Sequence, residues 1–224
     1  IWQGNFRDML IDREANKLMS DFVADKIRGR VKDQKVAEML IPKDHGFGTR
    51  RVPQETNYYE VYNQPNVTLV SMLDEPIERI TQTGIRTSAQ DYEFDVIVYA
   101  TGFDAVTGSF DRIDIRGVDD HRLTDAWGSG PKTFVGVMVN GFPNMFMIMG
   151  PHAALGNNPR SIEYNVEWVR DLIGYMSERN LKVTEALSES VDEWNAFVHE
   201  KAEGLLANEI DSWMTGVNMN VEGK

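Results

Sequence analysis

The stretch that decides the fold reads Asp95-Val-Ile-Val-Tyr-Ala-Thr-Gly-Phe-Asp-Ala-Val-Thr-Gly108. Its first six residues form a nearly continuous apolar run, which is typical of a strand covered on both faces in a parallel sheet. Open α/β sheets bind ligands beyond the carboxyl ends of their strands, and a glycine lets the backbone approach a cofactor closely. Taken alone, a strand followed by Thr-Gly is also a common turn. We predict that this turn binds a cofactor through Thr101, Gly102, Phe103 and Asp104.

Further strands are predicted on both sides of this stretch. The β-branched run 67–70 and the apolar run 145–149 have the composition of short strands. Between them, the segments 76–80 and 85–88 flank a Thr-Gln-Thr-Gly turn. This pattern predicts a hairpin in which Gly84 has a positive φ.

Helices are predicted at both ends of the chain. Ala15, Leu18, Met19 and Phe22 lie on one apolar face of a helix that should end at Gly29. A shorter helix should begin after Asp33 and end before Pro42. Near the C-terminus, one helix should bury the stripe formed by Ile162, Val166, Val169, Ile173 and Met176.

A last helix is predicted to begin with a capping box formed by Ser190 and Glu193. Its apolar face should contain Val191, Trp194 and Val198. Strands mixed with covering helices predict an α/β fold class with an N-terminal helical segment.

Composition narrows the possible partners. The chain has 224 residues and a net charge of -12, and it has no long run of Lys or Arg, so a nucleic-acid partner is not expected. It lacks cysteine, which excludes disulfides and thiolate metal sites and agrees with a cytoplasmic location. Its four histidines have no metal-ligand spacing, and no apolar run reaches the roughly 18 residues of a membrane-spanning helix. The chain begins at Ile1 without methionine, and we expect it to be a fragment.

Two loops could carry chemistry. Arg50 and Arg51 follow Phe47-Gly-Thr49, and a guanidinium binds phosphate or a developing oxyanion; a solvated basic pair is the alternative. The loop 150–160 joins a predicted strand to a helix, and its small and apolar residues suit a non-polar substrate. A plain connection is equally compatible with that composition.

Taken together, these segments resemble Baeyer–Villiger monooxygenases, flavoproteins that insert oxygen beside a ketone carbonyl. The resemblance extends over essentially the whole chain. It rests on the 95–108 stretch and on further segments in the same order, which are Phe47-Gly-Thr-Arg-Arg51, Tyr58-Tyr-Glu-Val-Tyr-Asn63, Ile113-Asp-Ile-Arg-Gly117, Gly141-Phe-Pro-Asn-Met-Phe146, Ser161-Ile-Glu-Tyr-Asn-Val-Glu-Trp168 and Ser212-Trp-Met-Thr-Gly216.

The resemblance implies roles for individual residues. Arg51 matches the active-site arginine, which stabilises negative charge on the oxygenated flavin and on its adduct with the ketone. Arg50 matches the basic residue that contacts the 2′-phosphate of NADPH, and Trp213 matches a tryptophan near the bound nicotinamide cofactor. The loop that shapes the ketone pocket is matched by Pro151, His152, Ala153, Ala154 and Leu155.

The resemblance also implies the cofactors FAD and NADP(H), the substrates O₂ and a ketone, and three regions. Residues 1–50 would be a helical insertion of the NADP domain, 51–100 the C-terminal part of that domain, and 101–224 the second part of a discontinuous FAD domain. Both dinucleotide fingerprints of the family and its Phe-x-Gly-x-x-x-His signature are missing from the sequence. Two alternatives therefore stay open, a related flavin monooxygenase that oxygenates nitrogen or sulfur, and a catalytically inert fragment.

Overall fold

The computed structural model describes Phe6, residues 8–153 and residues 157–217. The chain divides into two compact units, the first ending at Gly102 and the second beginning at Phe103. The three strands of the described residues all belong to the first unit, whereas both units contain helices. None of the described helices is both long and apolar enough to cross a membrane.

The longer helices of the first unit begin at side-chain caps. After a 3-10 turn at Asp8–Leu10 come α1 (Arg13–Arg30), α2 (Gln34–Leu40) and the single turn α3 (Tyr58–Val61). The carboxylate of Asp12 accepts a hydrogen bond from the backbone N–H of Ala15, and Asp33 caps α2 as predicted. Helix α1 continues through Gly29, so the predicted end there is one residue early.

The buried face of α1 differs from the predicted one. Asn16, Ala24 and Ile27 are buried, whereas Leu18 and Phe22 are 74% and 57% exposed. The core of this unit forms around Ile27, Val31 and Ala37, and Val36 and Leu40 of α2 pack against it. The face that packs is thus set by the position of α2, and it includes a polar residue that a hydrophobicity pattern does not register.

The sheet of the first unit is antiparallel, in the order β1 (Ile77–Ile80), β2 (Gly84–Thr87), β3 (Asp91–Glu93). The predicted hairpin is confirmed, with Ile80 opposite Ile85, and β3 extends it. The prediction of a positive φ at Gly84 is wrong. A Cβ at that position would lie 1.8 Å from the carbonyl oxygen of Tyr92 in β3, so this glycine serves close strand contact.

The other predicted strands are wrong as secondary structure. Residues 67–70, 95–100 and 145–149 form no strand, and Val96 and Val98 are 75% and 79% exposed. A buried parallel strand obtains its hydrogen bonds and its apolar cover from neighbouring strands and helices. Within the described residues no strand pairs with these segments.

The second unit has two short helices, α4 (Gly108–Asp111) and α5 (Leu123–Ala126), and two long ones, α6 (Asn158–Glu178) and α7 (Ser188–Ala202). Its 3-10 turns are Val118–Asp120, Leu206–Glu209 and Trp213–Thr215. Two apolar clusters form its core. One consists of Leu123, Trp127, Val139, Phe142 and Met147, and the other of Val137, Met138, Ala186 and Val191.

The long helices match the predicted positions but not every predicted face. In α6, Ile162 and Ile173 are 40% and 50% exposed, so the predicted stripe is not buried, although Val169 packs on the second cluster. Helix α7 begins at Ser188 with Leu187 as its N-cap, so the predicted capping box at residues 190–193 is wrong. Its predicted apolar face is confirmed at Val191, which is buried.

Candidate active site

The two predicted site arginines lie at the end of a tightly folded loop after α2, residues 42–51, which we call the arginine loop. Thr49 is buried, and both its hydroxyl and its backbone N–H donate hydrogen bonds to the carbonyl oxygen of Gly46, at 2.8 and 3.3 Å. Gly48 has a φ of +79°, which favours glycine. The loop therefore closes on itself immediately before Arg50 and Arg51.

Helix α1 anchors this loop through two polar side chains. The amide nitrogen of Asn16 donates to the carbonyl oxygen of Phe47 at 2.9 Å and to that of Met9 at 2.7 Å. The hydroxyl of Ser20 accepts a hydrogen bond from the backbone N–H of Phe47 at 2.9 Å. A Cβ at Gly46 would lie 2.0 Å from the side-chain oxygen of Asn16, so the loop lies directly on this amide. Sequence reasoning missed both residues; the signal was two polar side chains four residues apart on the inner face of α1.

Arg50 is engaged by an acidic neighbour. Its guanidinium lies 2.9 Å from the carboxylate of Asp44, which also forms a hydrogen bond with Nδ1 of His45 at 2.7 Å. The hydrogen bond with His45, together with the positive charge of Arg50, holds the pKa of the Asp44 carboxyl below its ordinary value, against the opposing effect of desolvation. A bound phosphate at Arg50 would share this guanidinium with a carboxylate.

Arg51 differs from its neighbour. Its side chain is exposed, and it forms no hydrogen bond or ion pair with the part of the chain that the structure describes. A fixed backbone that presents a guanidinium without an internal partner suits an anion from outside the loop, since a buried or paired arginine would have to break a contact first.

The predicted cofactor turn lies where the two units meet in sequence, with Thr101 and Gly102 in the first and Phe103 and Asp104 in the second. Gly102 has a φ of +90°, and the space that its Cβ would take is open. The side chain of Phe103 is 94% exposed, and Asp104 is half-buried. The turn thus offers the uncovered backbone that close approach of a cofactor needs.

The predicted substrate loop is anchored inside the second unit. Buried Thr133 donates from its hydroxyl to the carbonyl oxygen of Pro151 at 3.0 Å and accepts from the N–H of Gly136 at 3.2 Å. Asn195 of α7, also buried, donates to the carbonyl oxygen of Thr133 at 3.0 Å. Asn165 of α6 accepts from the N–H of Met149 at 2.9 Å. Sequence reasoning missed these three anchors: Asn165 lies in the family-like segment 161–168, but the resemblance assigned no role to it or to the other two.

His152 is the polar side chain of this substrate loop. It has a φ of +69°, and its Nδ1 is buried without a hydrogen-bond partner among the described residues. Desolvation, and to a lesser degree the charge of His199, lowers the pKa of His152. Ala153 packs closely against Gly136: a Cβ added to Gly136 would lie 2.2 Å from the Cβ of Ala153. Ala154 and Leu155 lie outside the described residues.

Trp213 begins the 3-10 turn near the end of the described chain. Buried Ser212 caps the turn by accepting from the N–H of Met214 at 3.2 Å, and the hydroxyl of Thr215 donates to the Ser212 carbonyl at 2.8 Å. The indole of Trp213 is 48% exposed. The turn therefore presents an aromatic face that a planar ligand could stack on.

Two open clefts are lined by described residues of the second unit. One, of about 410 Å³, includes Asp111, Asp114 and Arg122. The other, of about 400 Å³, includes Phe146 and Ile173. Neither is lined by a residue of the arginine loop, the cofactor turn or the substrate loop, so we assign no role in catalysis to them.

Known proteins match the chain along its whole length. No family model matches. A 2-oxo-Δ3-4,5,5-trimethylcyclopentenylacetyl-CoA monooxygenase from Pseudomonas putida is 47% identical over 100% of this chain and 41% of its own length. A Baeyer–Villiger monooxygenase from Pseudooceanicola batsensis is 41% identical over 96% of the chain and 39% of its own length. A phenazine N-monooxygenase from Lysobacter antibioticus is 39% identical over 97% of this chain and 40% of its own length.

Solved structures agree in fold. A steroid monooxygenase bound to NADP superposes with a TM-score of 0.89 at 40% identity, covering 96% of this chain and 41% of that one. The complex of OTEMO with FAD and NADP superposes with a TM-score of 0.87 at 49% identity, covering 93% of this chain and 39% of that one. These structures confirm the α/β fold class that the sequence predicts. The chain spans about 40% of the length of its relatives, and over that span it belongs to the Baeyer–Villiger monooxygenase family.

Proposed function

We propose that the protein containing this chain is a flavin monooxygenase that converts a ketone, O₂, NADPH and a proton into an ester or lactone, NADP⁺ and water. The observation that carries this proposal is Arg51, an exposed guanidinium that pairs with none of the described residues and that follows a hydrogen-bonded loop resembling the arginine loop of the family. Proteins similar to this chain also include a cyclopentanone 1,2-monooxygenase and a cyclohexanone 1,2-monooxygenase, 41% and 38% identical to it.

The residues of the chain fit two dinucleotide cofactors. When bound, FAD activates oxygen and NADPH supplies the reducing equivalents. In this proposal Arg50 would bind the 2′-phosphate of NADPH. The turn formed by Thr101, Gly102, Phe103 and Asp104 would lie against a cofactor, and Trp213 would contact the nicotinamide nucleotide. The open space at Gly102 and the exposed indole of Trp213 support these assignments.

Arg51 would stabilise the negative charge that develops during the reaction. Attack on a ketone carbonyl places negative charge on oxygen, and a fixed cation nearby stabilises the transition state more than the ground state. Arg51 has no carboxylate partner among the described residues, so none of them neutralises its charge.

The substrate loop would shape the site that binds the ketone. Pro151, His152, Ala153, Ala154 and Leu155 would line the ketone site, where apolar side chains exclude water from the reacting carbonyl. The lowered pKa of His152 keeps this imidazole neutral at pH 7, which suits contact with an uncharged ketone.

The regional assignment stays a proposal. We propose residues 1–50 as a helical insertion of the NADP domain, 51–100 as the C-terminal part of that domain, and 101–224 as the second part of the discontinuous FAD domain. The cytoplasmic location likewise stays a prediction, as does the absence of turnover by residues 1–224 alone.

The test uses the full-length protein. Purified protein should be yellow, and with cyclohexanone, NADPH and ¹⁸O₂ it should give a lactone that contains one labelled oxygen atom, measured by gas chromatography and mass spectrometry. Arg170, an exposed residue on α6 paired with Asp171, provides a charge-matched control, and its replacement by alanine should leave the yield unchanged. Absence of an ester or lactone from a panel of cyclic, linear and aromatic ketones would contradict the proposal.

Oxygenation of nitrogen is the second candidate. The match to a phenazine N-monooxygenase, 39% identical over 97% of the chain, favours it. The same protein should then convert a heteroaromatic amine to its N-oxide faster than any ketone to an ester. Comparing kcat/KM for the two substrate classes decides between them.

A further inference from the structure

Asn16 is built into the arginine loop more tightly than a polar residue in a helix requires. It is 5% exposed, and its amide donates to two backbone carbonyls that are distant in sequence, Met9 and Phe47. Its side-chain oxygen lies 3.2 Å from the hydroxyl of Ser20. Every polar atom of this amide is therefore used, and one of its donors is committed to the loop that carries Arg50 and Arg51.

Ser20 binds the same loop residue as Asn16. Its hydroxyl accepts from the N–H of Phe47, while Asn16 donates to the carbonyl of the same residue, so the backbone of Phe47 is held at both its polar groups. From Phe47 the constraint passes to Thr49, whose two hydrogen bonds to Gly46 close the loop just before the arginines. Displacement of Phe47 from α1 would break the two hydrogen bonds that join it to Asn16 and Ser20.

We propose that Asn16 and Ser20 are positioning residues for the monooxygenase reaction: they fix the backbone of Phe47 and thereby the place of the two arginine charges. This inference rests on the proposed function, because it presumes that the position of those charges matters to the reaction. Neither side chain needs to touch a cofactor or substrate. A purely structural role would affect folding stability without changing how the arginines act.

The experiment compares Asn16→Ala, Ser20→Ala and Arg51→Ala in the full-length protein with Lys17→Ala as control. Lys17 lies next to Asn16 on α1, but its only described ion pair is an exposed one with Asp21. Ser20→Thr, which keeps the hydroxyl, is the conservative variant. Hydrogen–deuterium exchange of residues 46–49 reports loop order without any substrate, and ester formed per NADPH consumed reports coupling.

We expect faster exchange at the amides of Phe47 and Thr49 in Asn16→Ala and Ser20→Ala, and normal exchange in Lys17→Ala. Ester formed per NADPH should fall by about 10-fold, within the roughly 100-fold that a misplacement of 1 Å can cost. The KM for NADPH should rise more than the KM for NADH. Ser20→Thr should restore coupling, and Ser20→Ala carries the test if Asn16→Ala fails to fold.

The outcomes separate the two proposals. If Arg51→Ala collapses ester yield but Asn16→Ala and Ser20→Ala keep normal coupling despite a loosened loop, the positioning role is overturned and the proposed function stands. If Arg51→Ala leaves ester yield unchanged, the role of the arginine in the proposed function fails, and the positioning role fails with it.

Discussion

Two loops of this chain carry most of the predicted chemistry, and each is fastened by a buried asparagine on a helix. In the first unit Asn16 holds the arginine loop directly, and every polar atom of its amide has a partner. In the second unit Asn195 contacts Thr133, which in turn binds the substrate loop, and among the described residues its own buried side-chain oxygen has no hydrogen-bond partner. Asn16 thus contacts the loop predicted to place a charge directly, whereas Asn195 acts through Thr133 on the loop predicted to shape the ketone site.

Replacing Arg51 by alanine tests this contrast most severely. If the arginine loop supplies charge, we expect ester formation to fall by about 100- to 1,000-fold, the usual effect of removing a group that stabilises an oxyanion. Reduction of the flavin by NADPH should persist, because that step does not develop the same charge. Stopped-flow absorbance measures the reduction and product analysis measures the ester; an unchanged ester yield would sink the assigned role.

The two asparagines should differ in their effect on stability. Replacing Asn16 by alanine leaves the carbonyls of Met9 and Phe47 without this donor, and we expect a loss of about 1–3 kcal/mol in the free energy of unfolding. Replacing Asn195 should cost less, because that substitution also removes an oxygen that is already unsatisfied. Denaturant unfolding of the two variants measures the difference, and an equal or larger loss for Asn195→Ala would contradict it.

Within the arginine loop, Arg50 should act on cofactor choice alone. We expect Arg50→Ala to reduce the preference for NADPH over NADH by about 10- to 150-fold, since a charged hydrogen bond to phosphate contributes roughly 1.5–3 kcal/mol. The measurement is kcat/KM for each cofactor with the same ketone. Equal losses for NADPH and NADH would rule out a contact with the 2′-phosphate.

Replacing Asp44 by asparagine should give the smallest effect, a change in how folding stability depends on pH in the acidic range. Its pKa is lower in the folded protein than its ordinary value, so it stabilises the fold above the unfolded-state pKa of about 3.9. That contribution disappears as the pH falls through the lowered folded-state pKa. Asp44→Asn should therefore be slightly less stable than the parent near pH 6 and equal to it at strongly acidic pH. Thermal unfolding across this pH range measures it, and a constant difference at every pH would exclude the carboxylate as its source.

Local signals in the sequence predicted the parts of the fold that local physics determines. The cap at Asp33 and the hairpin around residues 81–84 depend on neighbours within a few residues, and both are confirmed. The strand at 95–100 needs partners that the described chain does not place beside it, and the predicted faces of α1 and α6 depended on which element packs where. For the site, motif resemblance pointed to Arg50 and Arg51. It could not find Asn16, because the role of that residue follows from a contact 31 positions away in sequence.

The uncovered apolar segment 94–103 has a consequence for handling the protein. Phe94, Val96, Val98, Tyr99 and Phe103 are each at least 49% exposed. A run that is rich in β-branched and aromatic residues and low in charge, and that belongs to no described sheet, is a template for strand addition between molecules. Expressed as residues 1–224 alone, the chain should self-associate through this segment as its concentration rises. A lysine in place of Val96 or Val98 should act as a gatekeeper and keep it dispersed.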